Sequence, residues 1–206
     1  MRISAGIAKG RRTATRGLLT RSPGARKVRP TSAKVREALF DILRGKIEGA
    51  TFVDLYAGTG TVGFEALSRG ASHALFVEPD RRLIAGMKKC ALDLGFSDRA
   101  LIMPQRAEEF LSRAAVAGQS YDIFFLDPPY HSREIERILP VLASGALVPD
   151  GGIVVVEHFF KKQMPGDVGG LVLRKRYRYG DTMLTFYGKA EREREDDEKS
   201  DLSGNV

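Results

Sequence analysis

The sequence predicts an α/β protein, a mostly parallel sheet with helices on both faces. Short apolar runs alternate with longer amphipathic stretches from Thr51 to Glu157. Parallel strands need crossover segments, so this β-α-β-α order implies a sheet wound on both sides. A glycine-rich turn, Gly58-Thr59-Gly60-Thr61-Val62-Gly63, directly follows the first apolar run and opens the next helix. The last two apolar runs, joined by Tyr179-Gly180-Asp181, break the alternation. They read as a hairpin, which makes the final strand antiparallel.

Each element follows from its own pattern. Residues 1–30 carry Gly6, Gly10, Gly17, Pro23, Gly24 and Pro30 among basic residues, the composition of a hairpin or extended arm. From Thr31 the pattern becomes helical. Val35, Ala38, Leu39, Ile42 and Leu43 recur at i, i+3, i+4, i+7 and i+8, with Thr31 or Ser32 available as N-cap. A helix over residues 31–44 therefore anchors the arm on the body. Strands are predicted at residues 51–55, 73–77, 100–103, 121–126 and 153–157, with helices at 61–68, 80–94 and 107–115 and around Ile135, Ile138, Leu139 and Leu142. Residues 171–177 and 182–187 form the closing strand pair. The plan is thus an arm over 1–30, one α/β domain over 31–188 and a charged tail over 189–206, whose composition is that of disorder.

Composition narrows the function classes. A chain of 206 residues with 43% apolar content supports one core, and so one domain. No apolar stretch approaches the roughly 20 residues of a membrane span, and the N-terminus lacks the apolar block of a signal peptide, so the expected location is cytoplasmic. The single cysteine, Cys90, excludes an internal disulfide and argues against a cysteine-based metal site. His73, His131 and His158 have neither ligand-like spacing nor a nucleophile partner, and carry no catalytic role. Net charge is +7, and residues 1–36 hold eleven Lys and Arg with no acid, whereas the remainder holds 22 basic residues against 26 acids. All the excess positive charge is N-terminal, which points to a polyanion-docking arm and to nucleic acid as partner. A second cluster, Arg174, Lys175, Arg176 and Arg178, is interleaved with Tyr177 and Tyr179, which either stack on bases or pack in the core.

Two motifs carry the chemistry. Glu78 follows Gly58 by 20 residues, the spacing of a dinucleotide fingerprint. Its glycines let backbone approach a ligand closely, and an acid at the end of the second strand can hold ribose hydroxyls. Both features serve any adenosine-bearing cofactor. Asp54, at the mouth of the same loop, separates the candidates: it would repel a pyrophosphate but favour S-adenosylmethionine, which has an ammonium, a sulfonium and no phosphate. The second motif is Asp127-Pro128-Pro129-Tyr130, directly after the fourth strand. Two prolines cannot continue a ladder, so the chain leaves the sheet as a stiff loop. It holds a carboxylate and a ring at the sheet edge where open α/β folds bind ligands. An acid beside a flat ring suits a planar, hydrogen-bonding nucleobase.

With these residues the chain resembles the class I S-adenosylmethionine-dependent methyltransferases, and within them the bacterial family that methylates the N2 amine of a guanine in 16S ribosomal RNA. The likeness runs from Arg2 to about Tyr187. Its most specific parts are Arg29-Pro30-Thr31 leading into Val35-Arg36-Glu37-Ala38-Leu39-Phe40, the loop from Asp54 to Gly63, Asp127-Pro128-Pro129-Tyr130 and Tyr179-Gly180-Asp181. The resemblance implies a Rossmann-like class I fold with a seven-stranded sheet. It implies S-adenosyl-L-methionine as cofactor, held by Asp54, Tyr56, Gly58, Thr59, Gly60, Gly63, Glu78 and Asp127. Catalysis falls to Asp127, Pro128, Pro129 and Tyr130: Asp127 accepts one N2 hydrogen, the Pro128 carbonyl the other, and Tyr130 stacks on the flipped base. RNA contacts fall to Arg11, Arg12, Arg29, Thr31 and Arg36, with Arg174 and Arg176 from the second cluster. The implied partner is 16S RNA or the assembling 30S subunit, met by a monomer without a metal. One departure stands out: Arg106 occupies the place of an Asp that family members set near the adenine amine, and arginine cannot accept a hydrogen bond. Three alternatives stay open on the residues alone: an N6-adenine DNA methyltransferase, which shares Asp-Pro-Pro-Tyr, an NAD-dependent oxidoreductase, and a noncatalytic RNA-binding assembly factor.

Overall fold

Ser32 starts the body of the protein by accepting the Val35 N–H at 3.2 Å, which caps α1 (Ala33–Ile42). In the computed structural model, which describes residues 2–12, 31–129 and 132–189, α1 buries the face carrying Val35, Leu39 and Phe40. Arg29, Tyr130 and His131 lie outside the described residues, as do most of the basic arm and everything from residue 190.

The alternation then runs as its pattern requires: β1 (Thr51–Asp54), α2 (Thr61–Ser68), β2 (His73–Val77), α3 (Arg81–Leu94), β3 (Ala100–Met103), α4 (Ala107–Val116), β4 (Ile123–Leu126), α5 (Glu134–Ala143) and β5 (Ile153–Phe159). Three antiparallel strands follow, β6 (Asp167–Val168), β7 (Leu171–Tyr179) and β8 (Thr182–Lys189). Sheet order is β3-β2-β1-β4-β5-β8-β7-β6. The sheet has eight strands rather than the expected seven. The addition is the two-residue β6, which pairs Asp167 with Val172 and Val168 with Leu171 around Gly169-Gly170. Both glycines have positive φ, 56° and 97°, the backbone that tight hairpin turns require.

Successive strand residues face opposite layers. Val53, Leu75, Phe124 and Val154 pack under α4 and α5 with Phe110, Leu111, Ile138 and Leu142. On the other side Phe52, Phe125 and Val155 meet Val35, Leu39 and Phe40 of α1 and Val62 and Ala66 of α2. The start of the arm joins this second layer. Residues 2–12 double back, with Ile3 N–H donating to the Arg11 carbonyl and Gly10 N–H to the Ile3 carbonyl, both at 3.0 Å. Ile3 is 1% exposed and packs with Phe64, Phe76 and Met87. Among the described residues, no helix is long and apolar enough to cross a membrane.

Strand order reverses between β1 and β4, because the chain builds outward through β2 and β3 and then returns to the other side of β1. A crevice opens outside the C-terminal ends of strands at such a switch point. Both motifs singled out in the sequence sit there.

Candidate active site

Four carboxylates gather on the C-terminal edge of the sheet: Asp54 ends β1, Glu78 follows β2, Asp127 follows β4 and Glu157 lies near the end of β5. Asp54 is 2% exposed. Its carboxyl is pushed up to about 8, first by burial and then by the charge of Asp127, with a smaller contribution from Glu78, although the Gly63 and Tyr56 backbone N–H groups bond to it. The crevice therefore crowds carboxyl groups together, and a bound cation would favour the ionised form of Asp54.

The glycine loop is moulded around these acids. Gly58 and Gly60 take φ of 54° and 74°, and Gly60 caps α2 without a side chain. Glu78 Oε2 accepts the Gly58 N–H at 2.9 Å while its Oε1 accepts the Asp80 N–H at 2.9 Å, so the second strand's acid fixes the loop's shape. The loop is pinned further by Leu55 N–H to the Phe125 carbonyl at 3.0 Å and Ala57 N–H to the Val77 carbonyl at 3.1 Å. Buried Thr59 shares a 3.0 Å hydroxyl contact with Thr61. Tyr56 is half-buried, and burial together with a hydrogen bond to Glu134 raises its phenol far above the ordinary value. Asp54, Tyr56, Gly58, Thr59, Gly60, Glu78 and Asp127 thus converge on one crevice. Gly63 differs: a Cβ there would come within 2.3 Å of the Phe76 ring, so this glycine serves the packing of α2 on β2, and only its N–H reaches Asp54.

Asp127 is held from an unexpected direction. The Thr31 hydroxyl, 126 positions from Glu157 in sequence, lies 3.0 Å from Glu157 Oε2 and 3.4 Å from Asp127 Oδ2. Thr31 is 6% exposed. Its hydroxyl is directed at the crevice carboxylates. Glu157 was not anticipated from the sequence, though a signal existed: it is the acid that ends the unbroken apolar run Ile153-Val154-Val155-Val156, as Asp54 ends β1. Beyond Asp127, Pro128 is buried and Pro129 exposed, and the Pro129 carbonyl closes the turn by accepting the Ser132 N–H at 2.9 Å.

Arg36 also departs from expectation. Its side chain is 2% exposed, 3.4 Å from Glu65 Oε2, with Nη2 donating to the Arg2 carbonyl at 3.1 Å. Buried among these partners it cannot meet RNA in this arrangement, and it instead ties the start of the arm to α1 and α2. Arg11 and Arg12 are exposed, with Arg11 Nη1 also bonding the Leu94 carbonyl at 3.1 Å. Arg174 and Arg176 are exposed on β7. Tyr177 takes the packing alternative, edge-on to Phe186 at 5.7 Å. Arg106 is exposed at the N-terminus of α4, its N–H donating to Glu109 at 3.3 Å. Gln105 Oε1 is taken by Arg113 at 3.0 Å. His158 is a structural residue, Nδ1 donating to the Phe159 carbonyl at 2.9 Å and Nε2 accepting from the Thr185 hydroxyl at 2.7 Å.

This geometry has known counterparts. The model of the family described as conserved hypothetical protein 95 matches residues 1–188. The chain belongs to that family. It is 32% identical over 158 residues to the ribosomal RNA small subunit methyltransferase D of Haemophilus influenzae, a match covering 76% of this chain and 78% of the relative. The solved structure of yhhF from Escherichia coli superposes with a TM-score of 0.78 at 27% identity, covering 92% of this chain and 98% of that one. An RNA methyltransferase from Salinibacter ruber, solved in complex with S-adenosyl-L-homocysteine, shares the fold at a TM-score of 0.59 and 16% identity, over 81% of this chain and 97% of its own. The architecture is the Rossmann-like class I methyltransferase fold, with its sheet extended by β6.

Proposed function

We propose that the protein transfers a methyl group from S-adenosyl-L-methionine to the exocyclic N2 amine of a guanine in 16S ribosomal RNA, acting in the cytoplasm as a monomer on RNA of the assembling small subunit. One observation carries this reading above the others. Asp127, at the head of a two-proline loop, and the buried Asp54 of the glycine loop face one crevice across the switch point, close enough for the first to raise the carboxyl of the second. The cofactor fits the residues present. A ligand with an ammonium and a sulfonium suits a site where neighbouring carboxylates already raise the Asp54 carboxyl, and one with phosphates would add to that repulsion. Asp54, Tyr56, Gly58, Thr59 and Gly60 would hold its amino-acid end, and Glu78, whose oxygens keep acceptor capacity beyond their two backbone bonds, its ribose. Bound there, it supplies an electrophilic methyl.

The chain's own groups do the rest. An exocyclic guanine amine is a poor nucleophile because its lone pair is delocalised into the ring. Asp127 accepts one N2 hydrogen and the Pro128 carbonyl the other, which aims the lone pair. Fixed orientation supplies most of the acceleration, and the Thr31 hydroxyl, 3.4 Å from Asp127 Oδ2, helps hold that carboxylate in place. Tyr130 would stack on the base, a contact worth about 1–3 kcal/mol against a similar cost of unstacking it.

Incubation with labelled S-adenosylmethionine and 30S particles, naked 16S RNA or duplex DNA, followed by mass mapping of the modified nucleotide, tests the reading. Label on a guanine N2 of 16S RNA is the expected result. Label on adenine N6 of DNA, or on no nucleic acid, would overturn it.

A further inference from the structure

Beyond the carboxylates, the same edge of the sheet holds a cleft of about 320 Å³ that the proposed chemistry leaves unused. It lies past the end of β5 and is lined by Phe160, Lys161, Lys162, Met164 and Arg176, with His158 at its base. Phe160 is its aromatic ring. The Arg178 guanidinium lies over the Phe160 ring at 3.7 Å from the centroid, Lys161 Nζ is at 5.8 Å, and Phe159 packs edge-on at 4.9 Å. The Phe160 N–H bonds the Asp181 carbonyl at 3.0 Å, which fixes the ring's backbone to the β7–β8 turn. Lys162 reaches the other way, with Nζ 3.4 Å from the Ser132 carbonyl and 3.0 Å from Glu136. The cleft is therefore joined directly to the segment that leaves Asp127.

Cations around an aromatic face have a specific complement. Unpaired bases stack on aromatic rings and on arginine planes, while lysine and arginine meet the phosphate. A cavity of this volume is of the size that one nucleotide fills. We infer that this cleft binds one unpaired nucleotide neighbouring the target in the same RNA strand, its base against the Phe160 ring and its phosphate at Lys161 and Arg176. The inference rests on the RNA reading of the active site, but its evidence is separate from the carboxylates.

The test uses the full chain and a fluorescently labelled single-stranded RNA of about ten nucleotides, long enough to fill a site of this kind. Anisotropy titrations at several salt concentrations are paired with cofactor binding by calorimetry. Phe160→Ala should weaken RNA binding about tenfold or more, with an unchanged salt slope because no charge is lost. Lys161→Ala should weaken it less and lower the slope of log affinity against log salt by about 0.7. Cofactor affinity should hold in both. RNA affinity unchanged in Phe160→Ala, or a salt slope unchanged in Lys161→Ala, would overturn the inference. Should Phe160→Ala lose its fold by circular dichroism, Phe160→Leu, which keeps the volume and removes the π face, decides in its place. The two readings fail separately. Intact methyl transfer with unmoved RNA affinity in the variants sinks the cleft alone, whereas these binding losses in a protein that methylates no ribosomal RNA sink the reaction alone.

Discussion

Asp54 is where the site's electrostatics turn into a measurable quantity. Its carboxyl lies at about 8 in the folded protein against 3.8 for the free group. Between those values the folded state holds a proton that the unfolded chain has released. This contribution to stability is fully present below about pH 4 and is lost as pH rises through about 8. Scanning calorimetry of the unliganded protein from pH 5 to 9 should show a falling Tm, and Asp54→Asn should flatten that fall; parallel profiles would show that Asp54 stays ionised. The same variant should bind S-adenosylmethionine at least about tenfold more weakly, since a carboxylate–ammonium contact in a buried site is worth about 1.5–3 kcal/mol. Asp127→Ala separates the neighbouring role. It should abolish methyl transfer, leave the Tm near that of the parent and preserve cofactor binding, and retained turnover would remove Asp127 from the mechanism. Both acids were legible in the sequence because each interrupts an apolar strand run at its end. The burial of Thr31 and Arg36 was not legible, because their partners lie 126, 96 and 29 positions away and nothing local announces a buried hydroxyl or guanidinium.

At the scale of elements, the helices and the five parallel strands were readable from periodicity alone, the doubling-back of residues 2–12 was expected from glycine spacing but not its attachment to the body, and β6 was not foreseen. The turn is short and polar, yet buried side chains bind it into the body, Glu65 foremost. Glu65 of α2 is fully buried and accepts from Ser4 Oγ at 2.6 Å, Ser4 N–H at 2.9 Å, Ala5 N–H at 3.1 Å and Arg69 Nε at 3.0 Å, with Arg36 alongside. Ser68 adds its hydroxyl to the Ala5 carbonyl at 2.6 Å. Glu65→Ala would leave the Arg36 guanidinium buried without its counter-ion, so urea unfolding should show a loss of about 3–5 kcal/mol. Glu65→Gln, which keeps the shape and the acceptor oxygen, should lose less. Equal losses would mean that packing rather than charge holds the turn. β6 escaped notice for a different reason: two residues carry no period, and only Gly169-Gly170 marks the turn that creates it.

For the whole molecule, the division of charge assigns different work to the body and the arm. In the proposed reaction the carboxyl-lined crevice takes the cationic cofactor, and residues 1–36, which carry all the excess positive charge, are proposed to meet the polyanion. Deleting the arm outright would confuse two effects, because Ile3 and Ala8 are 1% and 2% exposed core residues and their loss unfolds the layer that contains Phe64. Replacing Arg16, Arg21, Arg26, Lys27 and Arg29 by serine keeps Ile3 and Ala8 in the chain. If each of the five neutralises one phosphate, the slope of log RNA affinity against log salt should fall by about 3.5 to 4.5 in magnitude, from about 0.7 per contact on single strands to about 0.9 on duplex. Such contacts position a substrate without reading its sequence, so short RNAs of unrelated sequence should be weakened alike. Cofactor affinity and Tm should stay near those of the parent protein. A variant with unchanged salt slope would place RNA affinity on the body instead, at Arg174, Arg176 and the Phe160 cleft. Loss of cofactor binding in step with RNA binding would show the arm to be part of the crevice rather than a separate docking element.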